Sequence, residues 1–308
     1  MMATANQPSH LLNTIRWQWP RHRNVFLILD GVRVKKAAQR LYNWSEGNLN
    51  AELLYAGTPL SSLNDISPWL IQLTGPQDLV LKHYLAQGTL AEWGYLIESD
   101  APLTEVAKHY RHLLVVLHPL GTPMMLRVAD PAVIAAMLPN NSSMATAPWG
   151  PIQQLYLPDA VKSAWQYHAP QSTTETPLTL DVSGYPLNEE QHQRLQSCNR
   201  RRDIRHLMAF VEQHHGGWPC TDSTLQRFQL LALLVEDARH YGFNSPKEWA
   251  LLCTLMARLS LTSWQALEQH SIYPLLIASS DSAQQRLKQA LAATSPKTGS
   301  PNTAAAAI

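Results

Sequence analysis

Residues 113–138 constrain the fold more than any other stretch, because they fix a strand, a turn, a second strand and a helix start in succession. The runs 113–117 (LLVVL) and 124–128 (MMLRV) are short, apolar and rich in strand formers, and the connector His118-Pro-Leu-Gly-Thr-Pro123 carries the Gly and Pro of a hairpin loop. Two antiparallel neighbours are predicted there. Asp130-Pro131 then opens an apolar run. An N-cap Asp accepts from a free helix N–H, and Pro at the first helical position gives up only a donor that had no partner. A helix is predicted over 131–138.

The rest of the first half alternates strands, at 25–29, 52–55, 69–73 and 93–97, with helices at 32–42 and 76–85. A further helix, with Asp100 as its cap, places Leu103, Val106, Ala107 and Tyr110 at the i, i+3, i+4, i+7 spacing of one buried face, and Glu105 and Lys108 on the other. This order, with a hairpin inside it, predicts a mixed sheet flanked by helices. Residues 140–186 are rich in Ser, Thr, Pro and Asn, with a short strand at 154–157.

The period then becomes helical. Asn188 and Gln191 form a capping box, and Ile204, Leu207, Met208 and Val211 form one face before His215-Gly-Gly217. Asp222 or Ser223 caps the next helix, which stops at Tyr241-Gly242. Ser245-Pro246 opens a third with Trp249, Leu252, Cys253 and Met256 inward, and others start at Ser263 and after Asp281. The fold class read from this is α+β: an N-terminal extension (1–23), a mixed α/β lobe (24–160), a linker (161–186), an all-helical lobe (187–291) and a disordered tail (292–308).

Composition narrows the function classes. Charged residues are 15% of the 308, against about 25% in an ordinary domain, and the net charge is +1, so the whole chain does not read as a polyanion binder. Trp is unusually frequent, 10 against 4 Phe, which points either to an interaction surface or to a Trp-rich core. Cys198, Cys220 and Cys253 are widely spaced, with no C-x-x-C and no secretory leader, which predicts a reduced, cytoplasmic protein. No apolar window approaches the roughly 20 residues of a membrane-spanning helix.

Catalytic motifs are lacking: no G-x-S-x-G, no G-x-G-x-x-G after a strand, no phosphate loop and no H-E-x-x-H. Asp30-Gly31 closes the first strand, where an α/β enzyme often places a carboxylate, but the turn out of a buried strand explains it more simply. Glu98 and Asp100 form a potential acid–base pair; the simpler reading has Asp100 capping its helix and Glu98 solvated. His109 and His112 form the best histidine pair, with no third metal ligand in frame. His214-His215 reads as a helix end. The basic run Arg200-Arg-Arg-Asp-Ile-Arg-His206 reads first as a solvated helix face, second as a patch for an acidic protein segment, third as a nucleic-acid contact. For Arg127 and Asp130 the favoured reading is structural: Asp130 caps the helix, and Arg127 pairs with it or with another carboxylate.

The segment Leu126-Arg-Val-Ala-Asp-Pro-Ala-Val133 resembles the Leu-Arg-Phe-Tyr-Asp-Pro-Arg-Val signature of the adaptor family that loads toxic effectors onto the spike of bacterial type VI secretion systems. Other pieces resemble it in order: Phe26-Leu-Ile-Leu-Asp-Gly31, Trp69-Leu-Ile-Gln-Leu73, Glu92-Trp-Gly-Tyr-Leu-Ile-Glu-Ser99 and His109-Tyr-Arg111. Ala238-Arg-His-Tyr-Gly-Phe243 is similar to a step in the family's helical half. The chain departs from the signature at Ala129, usually aromatic, and at Ala132, often Arg. The resemblance implies a non-catalytic protein without cofactor or metal, which binds a cognate effector, keeps it from aggregating and presents it to a VgrG-type spike. The family residues are Arg127, Asp130, Pro131, His109 and Arg111. Candidate partner contacts are Trp165 in the linker and Arg201 with Arg202 on the basic helix. The competing reading is an enzyme acting on a nucleotide or other small molecule through the strand-end carboxylates.

Overall fold

The structure, a computed structural model, describes residues 17–138, 149–170, 184–221, 223–278 and 281–294. Residues 1–16 of the expected extension, 171–183 of the expected linker, Asp222 as a cap and the tail beyond residue 294 lie outside these. The chain divides into two compact units, Met1–Asn199 and Arg200–Ile308. The first combines sheets with helices, and the described part of the second is helical, so the fold class is α+β.

In the first unit a six-stranded sheet runs in the order β2 (Ala51–Leu53), β3 (Trp69–Leu73), β1 (Asn24–Leu29), β4 (Gly94–Ser99), β7 (Ile152–Asp159), β8 (Ala164–His168). Every neighbouring pair is antiparallel. The only parallel pairing among the described residues is in a smaller sheet, between β5 (Val115–Leu117) and β9 (Tyr185–Pro186), with β6 (Pro123–Met125) antiparallel on the other side of β5. The predicted mixture of directions is therefore confined to the small sheet.

β1 shows why its sequence is apolar without alternation. Phe26 and Ile28 enter a core with α3 (Leu103–Leu113) and α4 (Pro131–Met137), while Val25, Leu27 and Leu29 enter another with α1 (Ala37–Trp44) and α2 (Leu79–Gln87). A strand covered on both faces has no polar side to write into its sequence.

Three local expectations shift. The helix expected from residue 32 begins at Ala37, because the Asp30 side chain takes the N–H groups of Val32 and Arg33 and holds this segment as a turn. Asp100 does not cap α3; Pro102 occupies that position, and Asp100 is exposed beside Arg23. Trp165, expected in an irregular linker, lies on β8. It is buried and packs edge-on against Tyr84, its ring centroid 6.5 Å away.

α5 (Glu189–His214) starts in the first unit and ends in the second. The Asn188–Gln191 capping box forms, with Gln191 N–H to Asn188 Oδ1 at 2.8 Å and Asn188 N–H to Gln191 Oε1 at 3.2 Å. The second core takes Ile204, Leu207 and Val211 from α5, joined by α6 (Thr224–His240), α7 (Pro246–Leu259), α8 (Trp264–Glu268) and α10 (Ala283–Ala293). Ser223, Ser245, Ser263 and Ser282 each cap the helix that follows. Helix α9 (Tyr273–Ile277) was not foreseen: it is a single short turn with Pro in its first positions. No helix among the described residues is long and apolar enough to cross a membrane.

Candidate functional site

The residues of the signature meet the end of β1. Asp30 leaves β1 and Arg33 follows three residues on; Arg127 and Asp130, with the same spacing and the opposite order, join β6 to α4. The two segments exchange charges. Arg127 Nη2 donates to Asp30 Oδ2 at 2.6 Å, and Arg33 Nη2 donates to Asp130 Oδ2 at 2.6 Å. Each carboxylate uses its other oxygen locally: Asp30 Oδ1 accepts from Val32 and Arg33 N–H, and Asp130 Oδ1 accepts from Ala132 N–H to cap α4. The prediction that Asp130 caps its helix holds. Arg127 pairs with a carboxylate 97 residues away.

A third carboxylate completes the cluster. Glu92, fully buried in the turn before β4, has Oε2 3.7 Å from Arg33 Nη1, while Oε1 accepts from Ala160 N–H at 2.9 Å and its carbonyl accepts from Arg33 Nη1 at 2.6 Å. Arg33 (side chain 18% exposed) thus serves three acids, Asp30 only at 3.9 Å, and Arg127 (29%) is the more solvated cation. Tyr55 lies beside this cluster; burial first, and then the negative charge of Asp30, push its phenol up. Tyr95 donates to the Val128 carbonyl at 2.7 Å and shares a hydrogen bond with the Tyr110 hydroxyl at 3.1 Å, pinning the signature loop to β4 and α3. Gly31 is required where it stands, since a Cβ there would fall 2.2 Å from the Ser67 carbonyl oxygen.

The remaining motif residues are also braces. Arg111 Nη2 donates to Glu52 Oε2 at 2.7 Å and to the Leu53 carbonyl at 3.1 Å, tying α3 to the edge strand β2. His109 is buried, with Gly150 against its ring. Pro131 sits at the start of α4. Gly94 of the Trp-Gly motif lets β4 approach β1, for a Cβ there would lie 1.7 Å from the Ile28 carbonyl oxygen.

Several predicted sites are placed differently. Glu98 is not solvated: it is buried, accepts from the Tyr156 hydroxyl at 2.7 Å and from Trp17 Nε1 at 3.2 Å, and pairs with Arg23 at 3.4 Å. Arg23 also reaches Asp100 at 3.7 Å, so the supposed acid–base pair is bridged by a guanidinium. His112 Nδ1 lies 2.8 Å from the Lys108 carbonyl oxygen, within its own helix. No cluster of metal-ligating side chains occurs among the described residues. Arg201 and Arg202 are half-buried on α5, and Arg200 pairs with Glu236 at 3.7 Å. None of the ten tryptophans is exposed: five are buried and the others half-buried, so the aromatic excess belongs to the cores. Sequence reasoning missed Arg33 and Glu92; the mirrored spacing Asp-x-x-Arg and Arg-x-x-Asp was the available signal for the former.

Comparison with known proteins agrees with this placement of the motif. Residues 25–146 match the family described as domain of unknown function DUF4123. The chain is similar to the accessory protein VasW of Vibrio cholerae serotype O1 (strain ATCC 39315 / El Tor Inaba N16961), 27% identical over 275 residues that cover 86% of each chain. No solved structure matches. The crossed Asp30–Arg127 and Arg33–Asp130 pairs thus lie within residues 25–146, the stretch that matches DUF4123, in agreement with the type VI secretion effector-adaptor family that the sequence resembles.

Proposed function

We propose that this protein is a cytoplasmic adaptor that binds one cognate type VI effector non-covalently, stabilises it and brings it to the VgrG-type spike. The DUF4123 match and the likeness to an accessory protein along most of both chains support an accessory role in type VI secretion. The observation that carries the non-catalytic part of the reading is the occupancy of the signature carboxylates. Asp30 and Asp130 are buried, and all four of their oxygens accept hydrogen bonds from guanidinium or backbone N–H groups. A general base must reach a substrate proton with a free oxygen, and a carboxylate fully engaged in this way offers none. The motif holds two chain segments in register and leaves recognition to the surface.

The test is affinity purification of the tagged protein from its native host, with mass spectrometry of what elutes. The adaptor reading expects one large toxin-like protein at stoichiometric yield, with or without the spike, and loss of that protein from cells when the adaptor is deleted. Elution of the protein alone under gentle salt, with effector levels unchanged by the deletion, overturns it.

A further inference from the structure

The most exposed large apolar side chain among the described residues of the helical unit is Leu233. In α6, Leu231, Leu234 and Val235 enter the core, yet Leu233 in the same run is 65% exposed. It stands at a cavity of about 400 Å³ lined by α6 and by the start of α8. The Tyr241 and Trp264 rings, stacked with centroids 4.6 Å apart and planes 17° from parallel, form part of its wall. Trp264 is buried, and its indole N–H has no acceptor among the described residues.

The charges around this cavity have one sign. Asp237 and Glu268 line it, no Lys or Arg does, and the other titratable side chains are His240 at the rim and Tyr241. Asp237 has no cationic partner among the described residues, and Glu268 is engaged only by the Tyr241 hydroxyl at 2.8 Å. Apolar ground beside uncompensated carboxylates suits an amphipathic helix whose large apolar side chain is flanked, one turn away, by Lys or Arg.

We propose that the groove between α6 and α8 binds a basic amphipathic helix of the partner protein, its apolar anchor covering Leu233 and Trp264 and its cations facing Asp237 and Glu268. The identity of that partner as the effector rests on the adaptor reading above; the chemistry of the groove does not.

The test uses the full chain and two synthetic helical peptides with the same leucine pattern, one with lysine and one with glutamate at every polar position, titrated by fluorescence anisotropy. The Leu/Lys peptide should bind and the Leu/Glu peptide should not. Leu233→Arg and Asp237→Lys, both at exposed positions, should each weaken the Leu/Lys peptide about tenfold or more while leaving the thermal melt unchanged. Equal binding of both peptides, or undiminished binding by the variants, overturns the proposal. So does concentration-dependent self-association that Leu233→Arg abolishes, since the occupant would then be a second copy. If the native effector co-purifies equally with wild type and with Leu233→Arg, the adaptor reading stands and the groove proposal fails. If no effector co-purifies while the peptide discrimination holds, the groove stands and the adaptor reading fails.

Discussion

Replacing Arg33 by Met should be the most damaging single change in the crossed ion network. The guanidinium lies 2.6 Å from Asp130, 3.7 Å from Glu92 and 3.9 Å from Asp30, and all three acids are buried. Its loss strips Asp130 of its 2.6 Å guanidinium contact and takes a nearby positive charge from buried Glu92 and Asp30. Removing one partner of a buried pair costs about 3–5 kcal/mol, mostly as the penalty of the charge left behind. Arg127→Met removes a single contact at 2.6 Å from a more solvated cation, and a hydrogen bond to a charged group is worth about 1.5–3 kcal/mol. The loss for Arg33 should therefore be the larger. Asn keeps the capping oxygen of Asp130 while deleting its charge, so Arg33→Met with Asp130→Asn should recover about 1–3 kcal/mol relative to additivity. Urea titrations supply the energies, and hydrogen exchange read by mass spectrometry assigns them to peptides covering β1 and residues 126–137. A cost below about 1 kcal/mol for Arg33→Met, or a larger cost for Arg127→Met, would refute the reasoning.

Three further outcomes follow from the packing. Gly94→Ala would place a methyl 1.7 Å from the Ile28 carbonyl oxygen, so β1 and β4 must separate; a loss of at least about 2 kcal/mol is expected in urea titration, and a variant as stable as wild type would contradict the contact. Burial first, and then the positive charge of Arg194, hold the His168 imidazole below its ordinary pKa. The stability tied to neutral His168 is full above about pH 6.5, the unfolded value, and is lost as pH falls through the lower folded value. His168→Gln should flatten the pH–stability curve in that window, and an unchanged slope would exclude His168 as its source. Burial pushes the Cys253 thiol up to about 12, whereas Cys220 is exposed. Iodoacetamide at neutral pH should label Cys220 in the folded protein and Cys253 only after denaturation, as read by peptide mapping.

What could be read from the sequence was local, and what could not was long-range. The Asp130-Pro131 cap, the Asn188–Gln191 box, Ser245-Pro246 and the buried faces of α3 and α5 depend on residues within two turns of each other, and all of them form. The all-antiparallel large sheet was not legible, because both faces of β1 are covered and its apolar run carries no alternation to fix direction. Strand β8 was lost among polar residues because only Trp165 of its five side chains is buried. Glu98 was misjudged for a related reason. Its partners, Trp17, Arg23 and Tyr156, lie 81, 75 and 58 residues away, so nothing nearby revealed that its charge would be enclosed. For the site itself, the residues of the signature were visible and their partners were not.

The mirrored order of the two charged segments gives the motif a structural role. Asp30-x-x-Arg33 and Arg127-x-x-Asp130 satisfy each other only when acid faces base at both ends. A displaced arrangement would set Asp30 against Asp130, or Arg33 against Arg127, in a buried site where like charges are costly. Net stability is a weak reason for such pairs, since apolar residues of similar volume often serve as well. Register is the stronger one: the crossed pairs fix how the end of β1 meets the loop before α4, and that loop in turn fixes α4 through its cap and the Tyr95 hydrogen bond. A sequence signature of this kind marks the fold of the domain. Surface positions such as Leu233 and Asp237 lie outside it, in the helical unit.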